Sequence, residues 1–166
     1  KGYSIKFYPE GGRSRTGRLL TPQTGMFAMT IQSLLRGTQR PITLVPVYLG
    51  YEHVMEVGSY LKELKGKNKK KESFWQIFSA IRKLRNYGFG YVNFGEPINL
   101  NEYVSSHDPE WRRLVDPMEP QKPAWLRNCV NGLANKVMVN INQAAAVNAL
   151  TVSAMCLLNT KEKALS

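Results

Sequence analysis

Acid is what this chain is short of: 12 Asp and Glu stand against 23 Lys and Arg, a net charge of +11 over 166 residues. Such an imbalance argues against cationic partners and selects anionic ones: nucleic acid, an anionic lipid surface, an acidic protein or phosphorylated metabolites. Cysteine is nearly missing as well. Cys129 and Cys156 are 27 apart and share no metal-ligand spacing, so neither a disulfide framework nor a zinc cluster is expected. Both read as reduced, buried thiols of a cytosolic protein. No stretch is long enough to span a bilayer: the most apolar part, Ala144 to Leu158, has 15 residues and contains Asn148, against a hydrocarbon core of about 30 Å. Signal and transit peptides, internal repeats, the phosphate-binding Gly-x-x-x-x-Gly-Lys-Ser/Thr loop and the dinucleotide glycine spacing are all missing. The chain starts at Lys1 and soon enters a strand-like run, which reads as a piece of something longer. A hydrophobic fraction of 43% suffices for one domain with its own core.

What is present is concentrated between Phe7 and Arg18. There Pro9, Glu10, Gly11 and Gly12 lead into Arg13, Ser14, Arg15, Thr16, Gly17 and Arg18, with three arginines and three glycines close together. The guanidinium is a planar fork of donors that matches phosphate, and glycine lets backbone N–H groups approach an anion closely. A strand opening into such a loop is a cradle for a phosphorylated small molecule. Glu10 has two readings here: it pairs with one of the arginines and shapes the loop, or it accepts a proton donor from the ligand. Both can hold together, since a fixed fork binds better than a floppy one.

The remaining pattern is α/β. Residues 3–8 look like a strand, and Phe27, Ile31, Leu34 and Leu35 fall at helical spacing before a stop at Gly37. Pro41 to Leu49 is a nearly continuous apolar run, as in a strand covered on both faces, with Pro46 at a strand end or irregularity. A weaker helix is expected over 54–64. Residues 62–71 hold six lysines against Glu63, either a solvated loop or a contact with an anionic surface, where each Lys is worth roughly 1 kcal/mol. Ser73 and Gln76 make a capping-box pattern ahead of an amphipathic helix carrying Phe74, Ile77, Phe78, Ile81 and Leu84. Its packing on a sheet is preferred to its lying on a membrane. Phe89 to Phe94 alternates as a strand closed by Gly95, Glu96 and Pro97. Residues 99–123 look irregular, with Asp116 and Glu119 close together, and two packed helices are expected between Ala124 and Leu158.

Histidine is scarce, and neither copy has a catalytic partner at a recognisable spacing. His53 lies near Glu52 and Glu56, and His107 beside Asp108; both read as structural. From residues alone the chain offers an anion cradle on an α/β domain, without an evident catalytic centre, metal site or cofactor.

Glu10-Gly11-Gly12-Arg13-Ser14 resembles the Glu-Gly-x-Arg-Ser signature of the glycerolipid acyltransferases. The apolar block around Pro46, and Phe94-Gly95-Glu96-Pro97-Ile98, resemble later blocks of the same family, in the family's order. The longer stretches from Gly11 to Arg18 and from Tyr48 to Val54 are most similar to its large, membrane-associated bacterial members. The resemblance implies a mixed sheet flanked by helices, with residues 1–122 as the C-terminal half of the α/β acyltransferase core and 123–166 as an added helical segment. It implies transfer of an acyl chain from acyl-acyl carrier protein or acyl-CoA to the sn-1 hydroxyl of glycerol 3-phosphate, without a cofactor.

Under that resemblance Arg13 binds the phosphate, while Glu10, Gly11, Gly12 and Ser14 shape the site and Pro46 borders the pocket. Arg15 and Arg18 join it by proximity. The family's base comes from a His-x-x-x-x-Asp motif. Here His53 is followed five positions on by Gly58, and His107 by Arg112, so no catalytic residue is expected in this chain and it should be inactive in isolation. An anionic phospholipid surface on the cytoplasmic face of a bacterial inner membrane is the expected setting, and nucleic acid is not expected as a partner. The rival is a basic module without catalysis, binding anionic membrane or nucleic acid. It explains the charge but not the ordered blocks, and salt-titrated binding to DNA and to anionic liposomes separates the two.

Overall fold

A computed structural model describes residues 4–12, 14, 18–38, 40–51, 89–119 and 121–159, apart from the side chain of Leu150. Arg13, Arg15, His53, the lysine run and the helices expected over 54–64 and 73–85 lie outside the described residues. By contacts the chain divides into two units, residues 1–48 with 94–144, and residues 49–93 with 145–166. The described residues form helices and small two-stranded sheets, a mixed α/β composition.

In the first unit the core is a meeting of helices. Helix α1 (Gly25–Leu35) buries Phe27, Ile31, Leu34 and Leu35, the four residues that its 3.6-residue period selects. It ends at Gly37, whose φ of +82° is the left-handed conformation that glycine adopts without strain. Strand β1 (Thr43–Leu44) pairs antiparallel with β4 (Ile98–Asn99), Thr43 opposite Asn99 and Leu44 opposite Ile98. Asn99 then caps a short helix, α2 (Leu100–Ser105): its Oδ1 accepts from Asn101 N at 3.0 Å and its Nδ2 donates to Glu102 Oε1 at 3.0 Å. A 3-10 turn (Trp111–Leu114) follows, so the stretch expected to be irregular contains two helical pieces. Helix α3 (Leu126–Gln143) completes the unit, burying Cys129, Val130, Leu133, Ala134 and Val137 with the α1 side chains in one cluster.

Two expectations fail here. Residues 4–8 are described but form no strand: Ile5 is 79% exposed, and the segment's packing contact is Phe7, edge-on to Phe27 at 5.2 Å. The apolar run Pro41 to Leu49 is two short strands rather than one covered on both faces. It breaks at Val45-Pro46 because Pro46 has no N–H for a ladder, and Val45, Val47 and Leu49 are exposed. The expected irregularity at Pro46 is therefore present.

Most of β2 (Val47–Tyr51) and β3 (Gly90–Phe94), which pair with each other, belongs to the second unit together with helix α4 (Ala149–Asn159). The alternation over Phe89 to Phe94 is the β3 strand. At Gly90 an added Cβ would lie 3.6 Å from the Tyr51 ring, an ordinary contact. Both cysteines are free; Cys129 is buried as expected, but Cys156, on α4, is exposed. The described side chains of its helix are exposed, so the period alone did not decide the burial of Cys156.

Candidate functional site

Three hydrogen bonds close the glycine-arginine turn at its base. Gly11 N donates to Tyr8 O at 3.2 Å, Gln23 N donates to Pro9 O at 2.7 Å, and Leu20 N donates to Glu10 Oε2 at 2.8 Å. Gly11 sits at φ +62°, where an L side chain is strained, and an added Cβ would lie 2.6 Å from Gln23 Cγ. The edge-on Phe7–Phe27 contact fastens the approach to the turn onto α1, whose Phe27 is fully buried. The two ends of the turn, at Glu10 and Leu20, are thus tied to each other, and its approach is packed on α1.

Glu10 shapes that loop through a backbone partner. A carboxylate accepting a backbone N–H is a charge-assisted bond, about twice the strength of a neutral one. No ion pair of Glu10 occurs among the described residues; Arg13 and Arg15 lie outside them, with Thr16 and Gly17. Gly12 and Arg18 are exposed. Ser14 Oγ is buried and has no hydrogen-bond partner among the described residues. A buried hydroxyl left so costs about 1–3 kcal/mol. Chemically, the turn brings a buried hydroxyl, at Ser14, into a sequence that carries three arginines.

Pro46 is buried elsewhere in the unit. Its carbonyl accepts from Gly95 N at 2.8 Å, and no hydrogen bond among the described residues joins it to the Glu10 turn. Gly95 is pressed against α3: a Cβ there would lie 2.8 Å from Asn140 O and 3.2 Å from Pro46 Cβ. Asn140, buried, donates from Nδ2 to Glu96 O at 3.1 Å. Pro46, Gly95, Glu96 and Asn140 form a corner that locks the strand ends to the long helix.

The described histidine has a structural role. His107 Nδ1 lies 3.1 Å from Tyr103 O and 3.3 Å from Ser106 Oγ, with its ring tilted on Tyr103. Asp116 Oδ1 accepts from Met118 N and Glu119 N, which holds its carboxyl below the usual range; it caps a turn instead of acting with Glu119. Burial pushes the Cys129 thiol up to about 11 and, with Cys129 nearby, the Tyr103 phenol up to about 12. Leu20, Gln23 and Asn140 were not apparent as positioning residues. Leu20 and Gln23 act through main-chain N–H groups that any residue but proline supplies. Asn140 does leave a signal: it falls on the buried stripe of α3, three positions after Val137.

An acyltransferase is the class that this turn and this α/β composition fit, and residues 1–50 match the family described as Acyltransferase. Residues 60–166 match the Glycerol-3-phosphate acyltransferase C-terminal region, and the chain belongs to that family. Three curated relatives named glycerol-3-phosphate acyltransferase align with all 166 residues: from Pseudoalteromonas atlantica and Alteromonas mediterranea at 62% identity, and from Colwellia psychrerythraea at 61%. The chain spans 20% of the length of each.

Proposed function

We propose that this chain supplies the acceptor-binding loop of a glycerol-3-phosphate acyltransferase, which makes lysophosphatidic acid from glycerol 3-phosphate and an acyl thioester. The carrying observation is the turn itself, where the family signature occurs and where Glu10 fixes the loop through Leu20 N. Arg13 takes the phosphate in its bidentate fork, Arg15 and Arg18 add charge, and the Ser14 hydroxyl finds its missing acceptor on a phosphate oxygen. The loop binds and orients; it does not remove the proton. In the whole enzyme a base outside this chain takes the sn-1 hydroxyl proton, the oxygen bonds to the thioester carbonyl carbon, and the carbon–sulfur bond breaks, releasing the thiol of the carrier. Holding the acceptor still accounts for rate through orientation alone.

The finer fold follows the same reading: in the first unit, the β1–β4 pair with α1 and α3 is part of a glycerolipid acyltransferase core. The net charge of +11 and the lysine run suit a peripheral position on the cytoplasmic face of a bacterial inner membrane, or an anionic donor carrier. No helix among the described residues is long and apolar enough to cross a membrane. Arg13→Ala in the full-length enzyme tests the central assignment. The apparent KM for glycerol 3-phosphate should rise far more than that for the acyl donor, and equal effects on both would remove Arg13 from the phosphate.

A further inference from the structure

Helix α4 carries no charged side chain over its 11 residues. Its polar residues form no stripe either: Thr151 and Ser153 lie about 200° apart around the axis, and Asn159 is the last residue. A helix apolar all round belongs in an interior. Here its described side chains are exposed, Val152 by 47%, Met155 by 63% and Leu158 by 87%. Asn148 sets the start, its Oδ1 accepting from both Thr151 N and Thr151 Oγ1 at 2.8 Å. Yet a helix shorter than about 12–15 residues is marginal in water without packing.

The pattern chooses among possible coverings. At about 1.5 Å per residue the helix is roughly 16 Å long, half of what a bilayer core requires. A helix lying in the lipid interface keeps a strongly polar or charged face, which α4 lacks. Pairing with a second copy covers one stripe and leaves the rest wet, short of the about 800 Å² per partner that stable interfaces bury. A source of apolar protein surface is at hand, because relatives 62% identical over this whole chain are five times its length.

We propose that α4 is a core helix of the full-length protein, enclosed on several sides by apolar surface of the same polypeptide outside these 166 residues. The proposal does not depend on Arg13 binding phosphate.

Its test uses the full-length protein in its membranes, with a photoreactive benzoylphenylalanine replacing Leu158 and, separately, Ser153 on another side of the helix. Irradiation should join each probe to peptides of the same chain outside residues 1–166, identified by mass spectrometry. Adducts with lipid, with another protein or within residues 1–166, or none at either position, overturn it. A second measurement needs no substitution. In the folded protein a charged maleimide should label Cys156 at least about tenfold more slowly than in urea, and equal rates overturn the proposal.

Discussion

Helices α3 and α4 follow each other in the chain and are built on opposite plans. The first has 18 residues, with one buried stripe and Asn, Arg and Lys on the other side; the second has 11, apolar all round and exposed. An amphipathic helix declares which face it needs covered, and α1 meets that need within the same unit. A uniformly apolar helix needs covering on every side, more than one neighbouring helix provides. The difference separates a helix that the described residues enclose from one that they leave exposed.

The largest effect tests that division directly. Leu133→Ala removes a side chain with no exposed surface from the α1–α3 core, and should cost about 2–5 kcal/mol of stability in the full-length protein, read as a lowered Tm. Leu158→Ala should cost a comparable amount there if α4 is enclosed. A loss at Leu133 with none at Leu158 would leave α4 a solvent-facing helix and collapse the contrast in its present form.

A smaller effect is expected at the polar exception on the buried stripe of α3. Gly95→Ala would push a methyl to 2.8 Å from Asn140 O, which is main chain and cannot step aside cheaply. The cost should be about 1–3 kcal/mol, as for other overpacked sites. Asn140→Ala, which strands Glu96 O without its 3.1 Å donor, should cost a similar amount. If both variants melt like the parent, the corner is not what fastens the strand ends to α3.

How far the sequence foretold these features follows from which forces write locally. The period of Phe27, Ile31, Leu34 and Leu35 and the stop at Gly37 describe α1 completely, because a helix is made of neighbours. Helix α2 is legible too, in the Asn99 and Glu102 capping pair, although the prolines around it give the stretch the composition of a loop. Strand pairing is not local. Residues 4–8 have the composition of a strand and no ladder among the described residues, and Pro46 divides a run whose hydropathy alone suggests one strand. At the site, the signature located the turn and Glu10 was expected to shape it. Its partner was hidden, since a backbone N–H ten residues away has no residue type to betray it.

That partner makes a kinetic prediction. Glu10→Ala frees the return of the loop at Leu20 and should raise the KM for glycerol 3-phosphate at least about tenfold, from a charge-assisted bond worth roughly 1.5–3 kcal/mol. Glu10→Gln keeps an acceptor oxygen for Leu20 N and should retain most of the affinity. Equal damage from both would mean that the carboxylate charge matters, and that Glu10 acts on an arginine or the ligand instead of closing the loop.

The subtlest test concerns the buried cysteine of α3, the helix that is covered. Burial on α3 raises the Cys129 thiol from 9.0 to about 11, and Tyr103, whose hydroxyl donates to Cys129 O at 3.3 Å, is raised from 10.0 to about 12. For both groups the neutral form is the one favoured in the folded state. Between pH 9 and 11 the native protein therefore holds a proton on Cys129 that the unfolded chain has released. Stability should be fully present below pH 9 and fall as pH rises toward 11, with Tyr103 extending the fall above pH 10. Cys129→Ala should flatten the slope of Tm against pH in that window even though the truncation lowers Tm at every pH.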